Sequence, residues 1–114
     1  MAQPSGLGSE VAKFATGEVT NATVTMLTTV ASDIYFIKSI IVCNIDSTDA
    51  KIAFTVNNGS NDRKILIDQL VGTDSSFVWN DTLFINGAGN IKIIEGNNKT
   101  CHWMINYIHQ DWSA

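Results

Sequence analysis

Ile34-Tyr-Phe-Ile-Lys-Ser-Ile-Ile-Val-Cys-Asn-Ile45 is the stretch that decides the fold. It is apolar nearly throughout, as a strand covered on both faces would be. Its length alone would also allow a helix. The density of Ile and Val argues against that, because branched side chains favour a pleated backbone. Turn residues bound it on both sides, Ala31-Ser-Asp33 before and Asp46-Ser-Thr-Asp49 after.

Working outward, the same grammar repeats. Upstream, Val19 to Val30 is dominated by Thr and Val. Downstream, Lys51-Ile-Ala-Phe-Thr-Val56 alternates, with Ile52, Phe54 and Val56 on one face. Asn57-Asn-Gly-Ser-Asn-Asp62 reads as a hairpin loop, since Asn-Gly favours the left-handed turn conformations. Arg63 to Leu70 returns as a strand, and Gly72-Thr-Asp-Ser-Ser76 turns again. Phe77 to Ile85 is one long strand or two short ones with a bend. Asn86-Gly-Ala-Gly-Asn90 is a turn, Ile91 to Glu95 a short strand, and Gly96-Asn-Asn-Lys99 a further turn. Thr100 to His109 is the last strand. Seven or eight strands at this spacing predict an all-β protein, a single antiparallel β-sandwich of jelly-roll or Greek-key type. The loops are too short for βαβ crossovers.

The N-terminus reads differently. Met1 to Ser9 is Gly, Ser, Pro and Gln with little apolar content. We expect an N-terminal arm over residues 1–17, with one possible helical turn at Ser9 to Phe14, and the sandwich over residues 18–114. The start lacks the basic and apolar regions of a signal peptide, and no apolar run approaches the ~20 residues of a membrane span. No membrane partner is expected.

Of 114 residues, 45% are hydrophobic but only 16% are charged. The polar surface must therefore come from Thr, Ser and Asn, and such a surface tends to find protein partners. The net charge is −4 and the seven Lys and Arg are scattered. Duplex binding needs clustered cations to displace counterions, so no nucleic-acid partner is expected.

A search for chemistry finds little. His102 and His109 lie seven residues apart on one strand, which puts them on opposite faces. Cys101 and His109 share a face but lie roughly 27 Å apart. No metal-ligand spacing appears, so no metal and no cofactor are expected. No G-x-S-x-G elbow exists, and Glu10, Glu18 and Glu95 show no reason to pair. Gly87-Ala-Gly89 lies between strands and opens no helix, so it is a turn rather than a phosphate cradle. The chain is read as not an enzyme. Cys43 and Cys101 both sit in apolar runs. Two free thiols are the favoured reading, and a bridge tying two strands stays open. Trp79 and Trp103 are assigned to the core, whereas Trp112 lies among polar residues and would dock on the protein or a neighbour. Four N-x-[ST] triplets begin at Asn21, Asn58, Asn80 and Asn98, and coincidence explains them in a chain so rich in Asn and Thr.

Leu27 to Ala50, and within it Ile37-Lys-Ser-Ile-Ile-Val-Cys-Asn44, resembles a family of small β-sandwich virion proteins of tailed bacteriophages, including marine and cyanobacterial ones. Lys64-Ile-Leu-Ile-Asp68, Gly89-Asn-Ile-Lys-Ile-Ile94 and Trp103-Met-Ile-Asn-Tyr-Ile108 extend the resemblance over roughly Ala22 to His109. Many members carry Pro-Ala-Gly where this chain has Ala31-Ser-Asp33, a turn in place of a turn. The resemblance implies a virion structural protein: a capsid decoration or cement protein, or a neck or tail accessory. Its partners would be major capsid, neck or tail proteins and further copies of itself, a homo-oligomer such as a trimer. It would be made in the host cytoplasm and end in the virion. The expected contact residues are the arm, Ala2, Gln3, Pro4, Ser5, Gly6 and Leu7, the loop residues Asn57, Asn58, Gly59, Thr73 and Asp74, and Trp112. The alternative is a carbohydrate-binding, host-adhesion module using loops Asn57 to Asp62 and Gly72 to Ser76, argued from the sandwich fold, its polar loops and a few aromatics.

Overall fold

The decisive stretch is a strand at the centre of a sheet. In the computed structural model, which describes residues 10–111, nine strands follow one another: β1 (Glu10–Thr20), β2 (Thr23–Thr29), β3 (Ile34–Asn44), β4 (Ala50–Asn57), β5 (Asp62–Val71), β6 (Ser76–Trp79), β7 (Leu83–Asn86), β8 (Gly89–Glu95) and β9 (Thr100–Gln110). They form two antiparallel sheets. One has the order β1-β9-β3-β6, with β7 also pairing β3, and the other has the order β2-β8-β4-β5. Nearly every connection passes from one sheet to the other; β4–β5 and β6–β7 stay within one.

Alternation explains the core. Tyr35, Ile37, Ile40, Val42, Cys101, Trp103 and Ile105 point inward from β3 and β9, towards Ile52, Phe54, Ile91 and Ile93 of the other sheet. A bulge between Ile37 and Ser39 shifts the inward set of β3 by one, from odd to even residue numbers. Phe54 lies between Phe77 and Trp79, with ring centroids 6.3 and 6.2 Å away, so Trp79 packs on the core as expected.

Two features differ from the sequence reading. The run Val19 to Val30 is two strands rather than one. Asn21 takes a positive φ of 44°, and the chain there changes sheets. The second difference concerns the start of the sheet. Residues 10–17, assigned to the arm, belong to β1 and pair in unbroken register with β9, from Glu10–Gln110 to Thr20–Thr100. No helical turn forms at residues 10–14. The physical reason is a missing pattern. The inward residues of β1 are Val11, Lys13, Ala15, Gly17 and Val19, so neither face reads as apolar. Gly17 faces Trp103, whose indole ring occupies the space a Cβ would need. The tryptophan supplies the bulk that the glycine lacks.

Candidate functional site

The outer face of the five-stranded sheet is the most distinctive surface. Register sorts its side chains into cross-strand rows. One row is Ala12, Ile108, Phe36 and Phe84, and another is Thr16, Met104, Ile41 and Val78. Between them lies a polar row, in which Asn106 Nδ2 donates to Ser39 Oγ at 2.9 Å beside Phe14. Phe14 is 66% exposed, Phe84 57% and Val78 51%. Phe36 and Phe84 touch, with ring centroids 5.3 Å apart. Two open grooves score the face. One, of about 470 Å³, runs over Ile41, Cys43, His102 and Met104, and the other, of about 350 Å³, over Ala12, Phe14, Lys38 and Ile108. The outer face of the four-stranded sheet is different. Its rows present Thr23, Thr25, Lys51, Lys64 and Lys92, with Ile94 and the exposed Leu70 among them. Burying one exposed Phe is worth about 1.5–3 kcal/mol, so the apolar face gains most from being covered.

The two ends of the sandwich are also unlike. At one end a buried carboxylate organises the loops. Glu95 accepts the backbone N–H groups of Asn21, Lys51, Asn97 and Lys99 at 2.9–3.2 Å. Burial alone would raise its pKa, but the four donors together hold it below the ordinary glutamate value. Beside it, buried Asn44 donates from Nδ2 to the carbonyls of Thr48 and Val71, and its Oδ1 accepts from Asp46 N–H. Thr73 Oγ1 donates to the Asp46 carbonyl at 2.5 Å. Thr73 and Asp74 lie here, and Asp74 is a turn residue with φ of 54°.

At the other end, Asn57 pairs with Asp62, and its Oδ1 accepts the Gly59 N–H across the β4–β5 loop. Gly59 has φ of 107°, which the loop requires and a side chain would oppose. Glu10, Gln110 and Ile34 lie at this same end by register. Here His109 Nε2 bonds Asp33 Oδ2 at 2.6 Å and Lys13 Nζ bonds His109 Nδ1 at 3.1 Å.

The expected contact residues are therefore not one site. Asn57, Asn58 and Gly59 stand at the end where β1 begins, whereas Thr73 and Asp74 stand at the opposite end, with β5 and roughly 30 Å between them. Ala2 to Leu7 and Trp112 lie outside the described residues. The two loops named for sugar binding cannot line one pocket.

As expected, the histidines take opposite faces. His102 meets Glu18 at 3.3 Å on the outside, and His109 turns inward. Cys43 and Cys101 are free. Cys43 faces outward beside His102 while Cys101 points into the core, so alternation keeps the two thiols on opposite faces. Burial pushes the Cys101 thiol up to about 11, which leaves it unreactive. Among the described residues no three His, Cys, Asp or Glu side chains gather so as to hold a metal ion. Among the described residues no helix is long and apolar enough to cross a membrane. Sequence reading missed the Glu95 hub and the Lys13–His109–Asp33 chain, because both draw in partners more than 40 positions away: Asn21 and Lys51 for Glu95, and Lys13 and Asp33 for His109.

No family model matches the chain, and no curated protein matches it in sequence. Solved structures share its fold. A chain from the acid-stable capsid of Helicobacter pylori bacteriophage KHP30 superposes with a TM-score of 0.60 at 8% identity, over 90% of this chain and 98% of that one. A chain of Bacillus endospore appendages, which form disulfide-linked pili, gives 0.56 at 16% identity over 99% and 97%. A chain of the T13 particle of the virus IBDV gives 0.53 at 7% identity, over 93% of this chain but only 36% of that one. The likeness at such identities is one of fold.

Proposed function

We propose that this chain is a structural component of a tailed-phage virion, a capsid decoration (cement) protein or a neck or tail accessory, which acts by covering and joining other virion proteins. The observation that carries this reading is the uncovered apolar face of the five-stranded sheet. Strand β3 has the composition of a strand covered on both sides, and the chain itself covers one. A second protein surface is what completes it. The strand order supports a jelly-roll sandwich: with β6 and β7 counted as one broken strand, each sheet has four positions filled in interlocked Greek-key order.

In this reading Ala2 to Leu7 and Trp112 contact neighbouring subunits, as do the loop residues Asn57, Asn58 and Gly59, while Thr73 and Asp74, at the opposite end from that loop, face a different neighbour. Closed symmetry among copies, as in a trimer, multiplies contacts that are individually weak. The protein would be made in the host cytoplasm and work in the virion, without catalysis.

Peptide mass spectrometry of purified particles tests this. The reading expects the chain in intact particles at a stoichiometry set by symmetry. Its presence in infected-cell extract but not in particles would overturn the reading.

A further inference from the structure

Lys13 has no acceptor capacity, so in its bond to His109 the Nδ1 atom must be the acceptor. The Nε2 atom then carries the proton and donates it to Asp33 Oδ2 at 2.6 Å. This order, ammonium to neutral imidazole to carboxylate, links β1, β9 and the turn before β3. The His109 and Asp33 side chains are mostly enclosed, 18% and 6% exposed. The Tyr35 ring stacks on the imidazole with centroids 4.5 Å apart and planes 6° from parallel, which fixes the plane of the imidazole between its two partners.

The first half of the strand held by this chain sets no side chain against the core. From Glu10 to Phe14 every residue of β1 is exposed, and the first one packed against the core is Ala15. Among the described residues, the side-chain bonds of this stretch beyond the backbone ladder to β9 include Lys13–His109 and the exposed bond from Gln110 Nε2 to Glu10 Oε2. We propose that Lys13, His109 and Asp33 form an acid-released latch on the first half of strand β1. Protonation converts Nδ1 from acceptor to donor and sets an imidazolium against the lysine ammonium. The imidazolium keeps Asp33 as its partner, and Lys13 leaves.

The groups facing His109 agree with that outcome. Lys13 comes from β1, Asp33 from the β2–β3 turn, and Tyr35 from β3, with Tyr107 behind Tyr35 at 6.1 Å and Asp111 after β9. Tyr35 is held above the ordinary phenol range chiefly by burial, so it stays neutral while a histidine changes charge. Asp33 is the direct partner that retains the imidazolium, and Lys13 is the direct partner that protonation drives away. The inference concerns the fold's own response and stands apart from the virion role.

Hydrogen exchange of the full chain at pH 7.5 and pH 5.0, corrected for intrinsic rates, tests it. The wild type is expected to lose about tenfold in protection at residues 11–14 in acid while β3 amides hold, the factor that loss of one hydrogen bond would give. An NMR titration of the His109 ring should share the midpoint. Lys13→Met should show the low protection at both pH values, and His109→Gln should remove the pH dependence. Lys13→Met serves alone if His109→Gln fails to fold. Unchanged wild-type protection, an equal loss in β3, or the same acid response in Lys13→Met would overturn the proposal.

Discussion

Glu95 shows how one side chain can fix several loops. Its carboxylate holds the β1–β2 turn, the start of β4 and the β8–β9 turn together through four backbone donors. A glutamine would turn an amide N–H₂ towards some of those donors. Glu95→Gln should therefore lower stability by about 3 kcal/mol at pH 7, read by urea unfolding. The pH dependence has a fixed sign. The folded pKa lies below the unfolded value near 4.5, so the stabilisation is complete above about pH 5 and is lost as pH falls through the folded pKa. The gap between wild type and Glu95→Gln should shrink on acidification to pH 3; a constant gap would count against the hub. Gly17→Ala is the second test at this scale. The new methyl group would meet the Trp103 indole directly, costing about 1–3 kcal/mol, with a shift in tryptophan fluorescence. The opposite faces of His102 and His109 were legible from their odd spacing. The Glu95 hub was not, because a lone glutamate at a strand end carries no mark of the donors that other loops bring to it.

Elements were legible in proportion to how well their alternation survives. β3 and β4 declare themselves through Ile, Val and Phe on the buried face. β1 does not, since its inward residues include Lys13 and Gly17, and its largest apolar residue, Phe14, points outward. The sequence reading therefore ends the arm at residue 17, whereas pairing with β9 begins at Glu10. Truncation distinguishes the two boundaries. Removal of residues 1–9 should leave the thermal transition within a few degrees of wild type. Removal of residues 1–17 should lower it by more than ten degrees, since it strips most of β1 from β9 and uncovers Trp103, about 2–4 kcal/mol in a protein of this size. Equal melting of both truncations would mean that residues 10–17 of β1 contribute nothing.

For the molecule as a whole, the asymmetry between the two sheets matters most. Lysine and threonine surround Leu70 and Ile94 on one outer face, while the other gathers Phe14, Phe84 and Val78 beside Ile41 and Met104. That face spans four to five strands, roughly 20 Å across. A surface this small gives a weak contact by itself, which suits a subunit held in place by symmetry. Phe84→Lys combined with Val78→Lys should leave the isolated fold nearly as stable, because both side chains already face solvent. Incorporation into particles should fall by at least tenfold. Hydroxyl-radical footprinting of the dilute chain and of the chain within purified particles tests the central claim most directly. Phe14, Phe84 and Met104 should be oxidised in the dilute chain and protected in the particle, with no equivalent protection across the lysine-bearing sheet. Equal oxidation of those three residues in both states would contradict the account.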